Sequence, residues 1–151
     1  MEDGELRSMG STKSIPRRWS DELDGIRWLP RMIDKARMRD RGDLGSYLLG
    51  HSPVDHALLT RLGLSTEQFA EIVQAAPDDQ AVLAAVRATW DEARVRRWSE
   101  RFTSTYRGFI PMWDIDEGYA HATPLQALGL ALYRPFESVT MEAVRRFRRA
   151  P

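Results

Sequence analysis

The chain has 151 residues, of which 42% are hydrophobic and 29% charged, with 22 basic side chains against 22 acidic ones and no cysteine. The length favours one domain with a real core, and the lack of cysteine excludes disulfide scaffolds, thiolate nucleophiles and cysteine-bound metal sites. The charge balance excludes the usual signature of a general nucleic-acid binder, an excess of Lys and Arg that releases counterions from phosphates.

Residues 1–20 are predicted to form a flexible arm. They combine Gly, Ser, Pro and charged residues with few large apolar groups, so burial cannot offset the entropy lost on ordering. Residues 21–151 are expected to form a single helical domain. The acidic start, Met1–Leu6, has no apolar run behind it, and no uncharged stretch reaches the length needed to cross a bilayer. We therefore expect a cytoplasmic protein without a signal peptide and without a membrane partner.

The first helix is predicted to begin near Pro30, because proline fits the first turn, where its missing N–H would have no partner anyway. Its apolar residues recur at the spacing of one helical face: Leu29, Met32, Ile33 and Ala36. Gly42 and Gly45 are expected to end this helix. A small apolar patch follows at Tyr47–Leu49.

From Pro53 the sequence predicts two helices separated at Gly63. Ser65, with Gln68 three residues later, predicts a capping box at the start of the second helix. The pair has the length and apolar pattern of a DNA-binding helix-turn-helix, but its second helix would present Glu67 and Glu71, which have the wrong charge to face phosphates. An ordinary helical corner is therefore favoured, and nucleic acid is disfavoured as a partner.

The longest predicted element is a central helix from about Asp79 to Thr105. It carries an almost heptad apolar stripe: Leu83, Val86, Trp90, Ala93, Trp98 and Phe102. Within the less regular residues 107–123, a short extended piece is expected from Phe109 to Ile115. Two more helices are predicted, one from Pro124 to Leu132 and a last one over residues 137–150. The sum is an all-α bundle of five or six helices, with one long central helix and no convincing sheet.

One block of the sequence is distinctive: Trp28–Arg37, which reads Trp-Leu-Pro-Arg-Met-Ile-Asp-Lys-Ala-Arg. It is followed by Gly42, Gly45, Tyr47, Gly50, Asp55 and Leu62–Gly63. With this pattern the chain resembles a family of small bacterial proteins described as a domain of unknown function, over roughly residues 17–87. The resemblance implies a small, mostly helical bacterial protein, and it carries over no reaction, cofactor or ligand.

The strongest candidate site is the charged side of the first helix. Arg31, Asp34 and Lys35 are spaced i, i+3 and i+4, which places them on one face, opposite the apolar stripe. Lys35 is the only lysine outside the predicted arm, and a desolvated lysine can act as a base or as an imine-forming amine, which arginine cannot. We predict a pocket that these residues line together with Trp28 and Tyr47, with Lys35 and Asp34 as catalytic candidates. The alternative is a solvated ion-pair ladder of little energetic weight.

A second candidate group consists of His51, Asp55 and His56. Imidazole and carboxylate side chains can bind a metal, and histidine is a common general base in enzymes, which makes His51 a candidate for that role. Pro53 interrupts the helical spacing between His51 and Asp55, so no metal site is predicted, and His56 is kept as a ligand-binding candidate. The alternative is a pair of ordinary loop histidines.

A third candidate group is the acidic turn that contains Asp114, Asp116 and Glu117. Neighbouring carboxylates shift one another's pKa values and could supply an acid and a base, or they could hold a hard cation. The glycine and the ligand alternation of a calcium loop are absent. A plain polar turn is the favoured interpretation, with Asp116 and Glu117 kept as ligand-binding candidates.

Three function classes follow from these observations. The leading one is a small-molecule enzyme or binding protein, with acid–base side chains in a pocket between helices and an anionic or aromatic small molecule as its ligand. The first alternative is a non-enzymatic interaction or dimerisation module, with a second copy of the chain as its partner. The second alternative is the disfavoured helix-turn-helix DNA binder. No cofactor is expected.

Overall fold

A computed structural model describes residues 14–129 and 131–132, and most of these residues are helical. The prediction of an all-α fold is confirmed. The elements are, in chain order, β1 (Glu22–Leu23), β2 (Ile26–Arg27), α1 (Leu29–Arg41), α2 (Pro53–Leu62), α3 (Thr66–Ala75), α4 (Asp79–Arg87), α5 (Glu92–Glu100), α6 (Phe102–Thr105) and α7 (Ile110–Asp116). Residues 124–129 and 131–132 are helical as well. The helix predicted over residues 137–150 lies outside the described residues.

Contacts divide the chain into two units, a first unit that ends at Phe102 and a second unit that begins at Thr103. The core of the first unit consists of large, fully buried side chains: Ile26, Leu29, Met32, Ile33, Leu58, Leu62, Phe69, Val73, Val82, Val86, Val95 and Phe102. In the second unit, none of the described residues is buried. Among the described helices, none has both the length and the apolar character needed to span a membrane.

A short hairpin of two strands, each with two residues, precedes the first helix and leaves the all-α class unchanged. Leu23 pairs with Ile26 in an antiparallel register. The two residues of the turn, Asp24 and Gly25, have φ values of 53° and 76°, which is the conformation of a tight hairpin turn. An Asp-Gly pair between two short apolar stretches is the sequence signal for such a turn.

Helix α1 has the start and the end that the sequence predicts. Pro30 lies in its first turn, and Gly42, with φ 76°, ends it. The N–H of Gly42 donates to the carbonyl of Arg39 at 3.0 Å, which satisfies a carbonyl that the helix end leaves open. The predicted apolar face is confirmed, because all four of its residues are fully buried: Leu29, Met32, Ile33 and Ala36.

Helices α2 and α3 meet at a tight turn that requires glycine. Gly63 has φ 70°, and a Cβ at this position would lie 2.9 Å from the carbonyl oxygen of Thr89. Helix α3 then begins with the predicted capping box: the N–H of Gln68 donates to Ser65 Oγ at 3.1 Å, and the N–H of Ser65 donates to Gln68 Oε1 at 2.9 Å. The capping-box prediction is therefore confirmed.

The predicted single long helix from Asp79 to Thr105 is wrong, because the chain leaves the helix between α4 and α5. Two polar side chains stabilise this interruption. Thr89 Oγ1 donates to the carbonyl of Leu62 at 2.8 Å, and the side chain of Asp91 caps α5 by accepting from the N–H of Arg94 at 3.1 Å. These contacts replace the hydrogen bonds that a continuous helix would make.

The interruption changes which residues of the predicted stripe reach the core. Ala93 is exposed and Trp90 is half-buried, whereas Val95, which lies off the stripe, is fully buried. The other members of the stripe are buried as expected: Leu83, Val86, Trp98 and Phe102. The apolar pattern therefore predicts most of the core residues correctly, but it assigns them to one helix instead of two.

The segment predicted to be extended from Phe109 to Ile115 forms helix α7, so this prediction is wrong. Pro111 lies in the first turn of α7, where no N–H is needed, and is therefore compatible with a helix start. The ring of Trp113 contacts Tyr106 and Phe109, with centroid distances of 6.1 and 6.2 Å. Aromatic contacts between α7 and the turn before it thus accompany a helix in place of the expected strand.

Residues 14–20, the second part of the predicted arm, pack against the first unit. Pro16 is buried, and the ring of Trp19 stacks parallel to that of Phe102 at a centroid distance of 6.0 Å. Arg17 makes the ion pairs described below. The composition of the arm does not predict these contacts.

Candidate functional site

Lys35 is buried in the first unit, with its side chain 4% exposed. Its Nζ donates to Asp55 Oδ1 at 2.6 Å, to Asp55 Oδ2 at 2.5 Å and to the carbonyl of Leu48 at 3.0 Å. A lysine ammonium has three N–H groups, so these contacts use its full donor capacity. The alternative of an exposed ion-pair ladder along α1 is wrong for Lys35, because its partner belongs to α2.

Asp55 is the acceptor at the centre of this cluster and is fully buried. Ser52 is the N-cap of α2 and accepts the N–H of Asp55 at 3.1 Å, which places the carboxylate in the first helical turn. Besides Lys35, the carboxylate accepts from Trp28 Nε1 at 2.7 Å and from the N–H of Gly50 at 2.8 Å. The positive end of the α2 dipole adds a favourable field for the charge. The buried carboxylate is thus compensated on both oxygens.

Trp28 joins the cluster in an unusual backbone conformation. Its φ of 69° lies in the left-handed region, which bulky residues rarely adopt. The residue is 3% exposed, its indole N–H is bound by Asp55, and its ring lies 5.7 Å from that of Phe102 and 5.5 Å from Lys35 Nζ. Tertiary contacts therefore hold a conformation that costs free energy locally.

The loop before α2 is held by its main chain. The carbonyl of Leu48 accepts from Lys35, and the N–H of Gly50 donates to Asp55. Gly50 has φ 79°, and a Cβ there would overlap the side chain of Thr66 at the start of α3. Only glycine allows this close approach of the loop to α3.

Arg31 lies between two aromatic rings. Its Cζ is 5.0 Å from the ring centroid of Trp28 and 5.4 Å from that of Tyr47, and its Nη1 donates to the carbonyl of Arg17 at 3.0 Å. Arg31 is 5% exposed, so the expected position on a solvated face is wrong for this residue too. The structure brings Trp28, Arg31, Lys35 and Tyr47 together as the sequence predicts, but the Arg31 guanidinium occupies the space between the two rings.

Asp34 pairs with Arg17 rather than with the neighbouring Lys35. Arg17 Nε and Nη2 each donate to Asp34 at 2.8 Å, and Nη1 donates to Asp79 Oδ2 at 2.6 Å. Arg37 Nη1 also reaches Asp79, at 2.7 Å from Oδ1. The hydrogen bond with Asp34 raises the pKa of Arg17 above its ordinary value. Burial acts to lower this pKa, and the hydrogen bond with Asp79 acts to raise it further. Asp34 thus belongs to a second network, on the α4 side of α1.

Asp79 is the carboxylate of this network that binds two arginines. Burial acts to raise the pKa of Asp79, but the hydrogen bonds and positive charges of Arg17 and Arg37 together hold it below the ordinary value of 3.8. The carboxylate therefore stays charged at any pH near neutrality, and its contribution to stability depends on that charge.

Asp79→Asn is expected to lower the free energy of unfolding by about 1 kcal/mol at neutral pH, since the ion pairs are partly exposed. Because the pKa of Asp79 is lower in the folded than in the unfolded state, its contribution is complete above the unfolded value of 3.8 and is lost as pH falls through the folded pKa. Urea denaturation of both proteins between about pH 7 and about pH 2 measures this loss, because the difference between their free energies of unfolding should become smaller as the pH falls. A difference that stays constant over that range would contradict the assignment.

The second candidate group is not brought together. His51 and His56 are exposed, whereas Asp55 is buried and bound to Lys35. Within residues 14–129 and 131–132, no three His, Asp or Glu side chains lie close enough together to hold a metal ion. The role of His51 as a general base stays a prediction.

The acidic turn lies in the second unit, at the end of α7. Asp116 is the last residue of that helix and is exposed, and Glu117 is its half-buried C-cap. Gly118 follows with φ 81° and turns the chain. A role of Asp116 and Glu117 in ligand binding stays a prediction.

A groove of about 230 Å³ lies beside α1, in the first unit. Its lining residues are Ser14, Ile15, Asp34, Arg37, Met38 and Arg41. The lining includes the candidate Asp34 but neither Lys35 nor Tyr47, so this groove is not the pocket predicted around Lys35.

Residues 13–124 match the model of a family described as a domain of unknown function, DUF5069. The chain belongs to this family. The match covers both charged networks and extends beyond the predicted resemblance, through α7, and the expectation of an uncharacterised domain family is confirmed. The bacterial origin implied by the resemblance stays a prediction. No curated protein matches the chain.

The DUF5069 region thus contains a buried ion pair whose hydrogen-bonding groups are all engaged. Lys35 uses its three donors, and both oxygens of Asp55 accept two bonds. Such a pair links α1 to α2, and a catalytic role of Lys35 stays a prediction. The sequence alone does not predict Arg17 and Gly50 as parts of the two networks. The N-cap Ser52 before Asp55, together with the isolated Lys35, is the signal that could have paired the two charges.

Proposed function

We propose that the chain is a non-enzymatic interaction module that pairs with a second copy of itself. The observation that carries the proposal is a set of three exposed leucines in the second unit, called the leucine stripe: Leu125, Leu128 and Leu132, which are 80%, 58% and 64% exposed. Large apolar side chains that are exposed together on one surface mark interaction sites in soluble proteins.

The surroundings of the leucine stripe favour burial against another apolar surface. From Gly118 to Leu132 the sequence contains no Asp, Glu, Lys or Arg, so docking would desolvate no formal charge there. Phe109, which is 51% exposed, adds apolar area in the same unit. Since none of the described residues of that unit is buried, much of its apolar surface is still available for the hydrophobic effect.

The spacing of the leucine stripe indicates a helix as its partner. Leu125, Leu128 and Leu132 are three and four residues apart, the spacing by which two helices pack side by side. A second copy presents the same stripe, and a two-fold axis brings identical surfaces together in a closed dimer. A symmetric pair therefore needs no partner other than this chain.

The small-molecule function that leads the sequence interpretation has one supporting observation, the groove beside α1. Two of its lining side chains already have internal partners, because Asp34 binds Arg17 and Arg37 binds Asp79. A ligand would have to displace these partners before it gained a charged contact. The groove therefore supports a binding function less well than the leucine stripe supports self-association.

The remaining functions have weaker support still. Lys35, the leading catalytic candidate, is buried, and its donors are fully used. Glu67 and Glu71 are exposed on α3, which keeps the DNA-binding alternative disfavoured. A cytoplasmic location stays a prediction from the sequence.

Replacing Leu128 with glutamate is expected to dissociate the dimer of the full-length chain. The new charge would be buried without a partner at the centre of the interface, which costs several kcal/mol. Because each 1.4 kcal/mol changes Kd about tenfold, Kd should rise by at least about a hundredfold. Sedimentation velocity over a concentration series measures the Kd of both proteins.

Ala127→Glu is the matched control, since it adds the same charge one residue away, about 100° further round the helix and off the leucine stripe. Its Kd should stay within a few-fold of the wild-type value, and circular dichroism should show the same helix content in all three proteins. A wild-type chain that remains monomeric at millimolar concentration, or equal weakening by both substitutions, overturns the proposal.

A further inference from the structure

A surface of the first unit binds an arginine side chain between two carboxylates. Asp34 of α1 and Asp79 of α4 form this surface, which we call the acidic notch. Arg17 donates Nε and Nη2 to the two oxygens of Asp34, each at 2.8 Å, and Nη1 to Asp79 Oδ2 at 2.6 Å. The planar guanidinium fits this arrangement, whereas a lysine ammonium could not donate in the same fork.

The segment that carries this arginine, Ser14–Trp19, contains no helix or strand. Its main chain is bound at Arg17, whose N–H donates to Asp34 Oδ2 at 2.8 Å and whose carbonyl accepts from Arg31 Nη1 at 3.0 Å. Pro16, just before it, is buried. Because main-chain groups are the same in every residue, these two bonds suit any extended segment, and the arginine side chain supplies the selectivity.

The contacts in the notch are reached by water. The side chain of Arg17 is 37% exposed, and those of Asp34 and Asp79 are each 23% exposed. Ion pairs with this exposure are modest in strength and are screened by salt. The groove of about 230 Å³ also separates part of the segment, Ser14 and Ile15, from full packing on α1. Pro16 is buried and Trp19 stacks on Phe102, whereas the contacts of Arg17 in the notch are surface contacts that the arginine of another chain could replace.

From these contacts we propose that the acidic notch is a docking site for an extended, arginine-bearing segment of a partner protein, and that Ser14–Trp19 occupies it as an intramolecular ligand. The bound segment defines the chemistry of the partner: a proline followed by an arginine, in a segment without helix or strand. Arg37 shares Asp79 at 2.7 Å and reduces the net negative charge of the notch, so selectivity rests on the fork geometry more than on charge.

The test uses the full-length Arg17→Ala protein and a synthetic peptide with the sequence of residues 14–20. We expect the peptide to shift the amide NMR signals at the start of α4 and in α1 in a saturable manner. The wild-type protein should bind the peptide at least about tenfold more weakly, because its own segment competes at high effective concentration. Adding Asp79→Asn to the Arg17→Ala protein should weaken binding about tenfold, the effect of losing roughly 1.4 kcal/mol.

Two altered peptides provide the matched control. The peptide with R17A should lose binding, whereas the peptide with R18A should keep it within a few-fold, since both lose one positive charge and only the first loses the fork. Equal loss with both peptides would mean that charge alone attracts them, and would overturn the proposal. So would the absence of saturable shifts at millimolar peptide in a folded Arg17→Ala protein.

If the Arg17→Ala protein fails to fold, amide hydrogen exchange of the wild-type chain tests whether the segment can leave the acidic notch. If the segment leaves the notch while the fold stays intact, the Arg17 amide must exchange at least about a hundredfold faster than the Ile33 amide in the core of α1. Equal protection of the two amides would show that the segment leaves only on global unfolding, and would overturn the proposal.

Discussion

Lys35→Ala is expected to lower the free energy of unfolding by about 3–5 kcal/mol, the usual cost of leaving one partner of a buried ion pair without its opposite charge. Asp55 is fully buried, and after the substitution it would keep only the N–H groups of Trp28 and Gly50 as donors. The carbonyl of Leu48 would lose its donor as well. Urea denaturation at neutral pH measures the change.

Arg39→Ala is the matched control for Lys35→Ala, because it removes a cation from the same helix at an exposed ion pair. Arg39 binds Glu67, whose side chain is 67% exposed, so its loss should cost less than about 1 kcal/mol. The comparison also separates a structural from a catalytic lysine, since removal of a strained functional group commonly leaves stability unchanged or raises it. A Lys35→Ala protein as stable as Arg39→Ala would contradict the structural role.

Trp28→Ala is expected to lower the free energy of unfolding by about 3–5 kcal/mol, which is typical for removal of a buried aromatic ring. The ring packs against Phe102 and lies beside the cations of Arg31 and Lys35, and its N–H is one of the donors to Asp55. Alanine at φ 69° would gain nothing in return, because the left-handed conformation is unfavourable for it as well. Thermal and urea unfolding at neutral pH check the prediction.

Trp28→Phe separates the ring from the hydrogen bond. Phenylalanine keeps most of the packing but has no donor for Asp55, so the expected loss is about 1–3 kcal/mol, the cost of leaving a buried charged acceptor short of one partner. Equal costs for Trp28→Phe and Trp28→Ala would place the whole effect in the hydrogen bond. A cost below about 1 kcal/mol for Trp28→Ala would contradict the packing described for this residue.

Local signals in the sequence predict local structure well. Pro30 at the start of α1 and the Ser65 capping box act through neighbours within a few residues, so their effect can be derived without the fold. Gly63 is a local turn signal through its φ of 70°, whereas its close approach to the carbonyl oxygen of Thr89 depends on the fold. The ion pair of Lys35 could not be derived in this way, because Asp55 lies 20 residues away and no periodicity connects two different helices. The sequence therefore identifies Lys35 as a notable residue but predicts a charged helix face around it, whereas Lys35 is buried against Asp55.

The wrong environment has a physical cause. Helical spacing predicts a solvent-exposed polar face only for a helix that has one side in water. Helix α1 is instead buried around most of its circumference, and its buried residues are Leu29, Pro30, Arg31, Met32, Ile33, Lys35, Ala36 and Met38. A charged residue on such a helix must find a partner inside the protein. Arg31 does so between two rings and Lys35 at a carboxylate, contacts that only the assembled fold supplies.

The error over the predicted central helix has a different cause from the error over Lys35. Apolar residues recur at almost heptad spacing from Leu83 to Phe102, so periodicity alone predicts one helix where the structure has two. What ends α4 and starts α5 is polar: Thr89 binds the carbonyl of Leu62, and Asp91 caps the next helix. Asp91 is a recognisable N-cap in the sequence, whereas the bond to Leu62 depends on the position of α2.

The carboxylate of Asp55 has a consequence for the dynamics of the first unit. It joins the entry of α1, at Trp28, to the main chain at Gly50 and to the first turn of α2. The irregular stretch between the two helices is therefore bound to both of its neighbours through one group. The amide proton of Gly50 should accordingly become exposed in the same cooperative opening as the amide protons of α1 and α2, so that a residue in a loop without regular structure shares the protection of the helices around it.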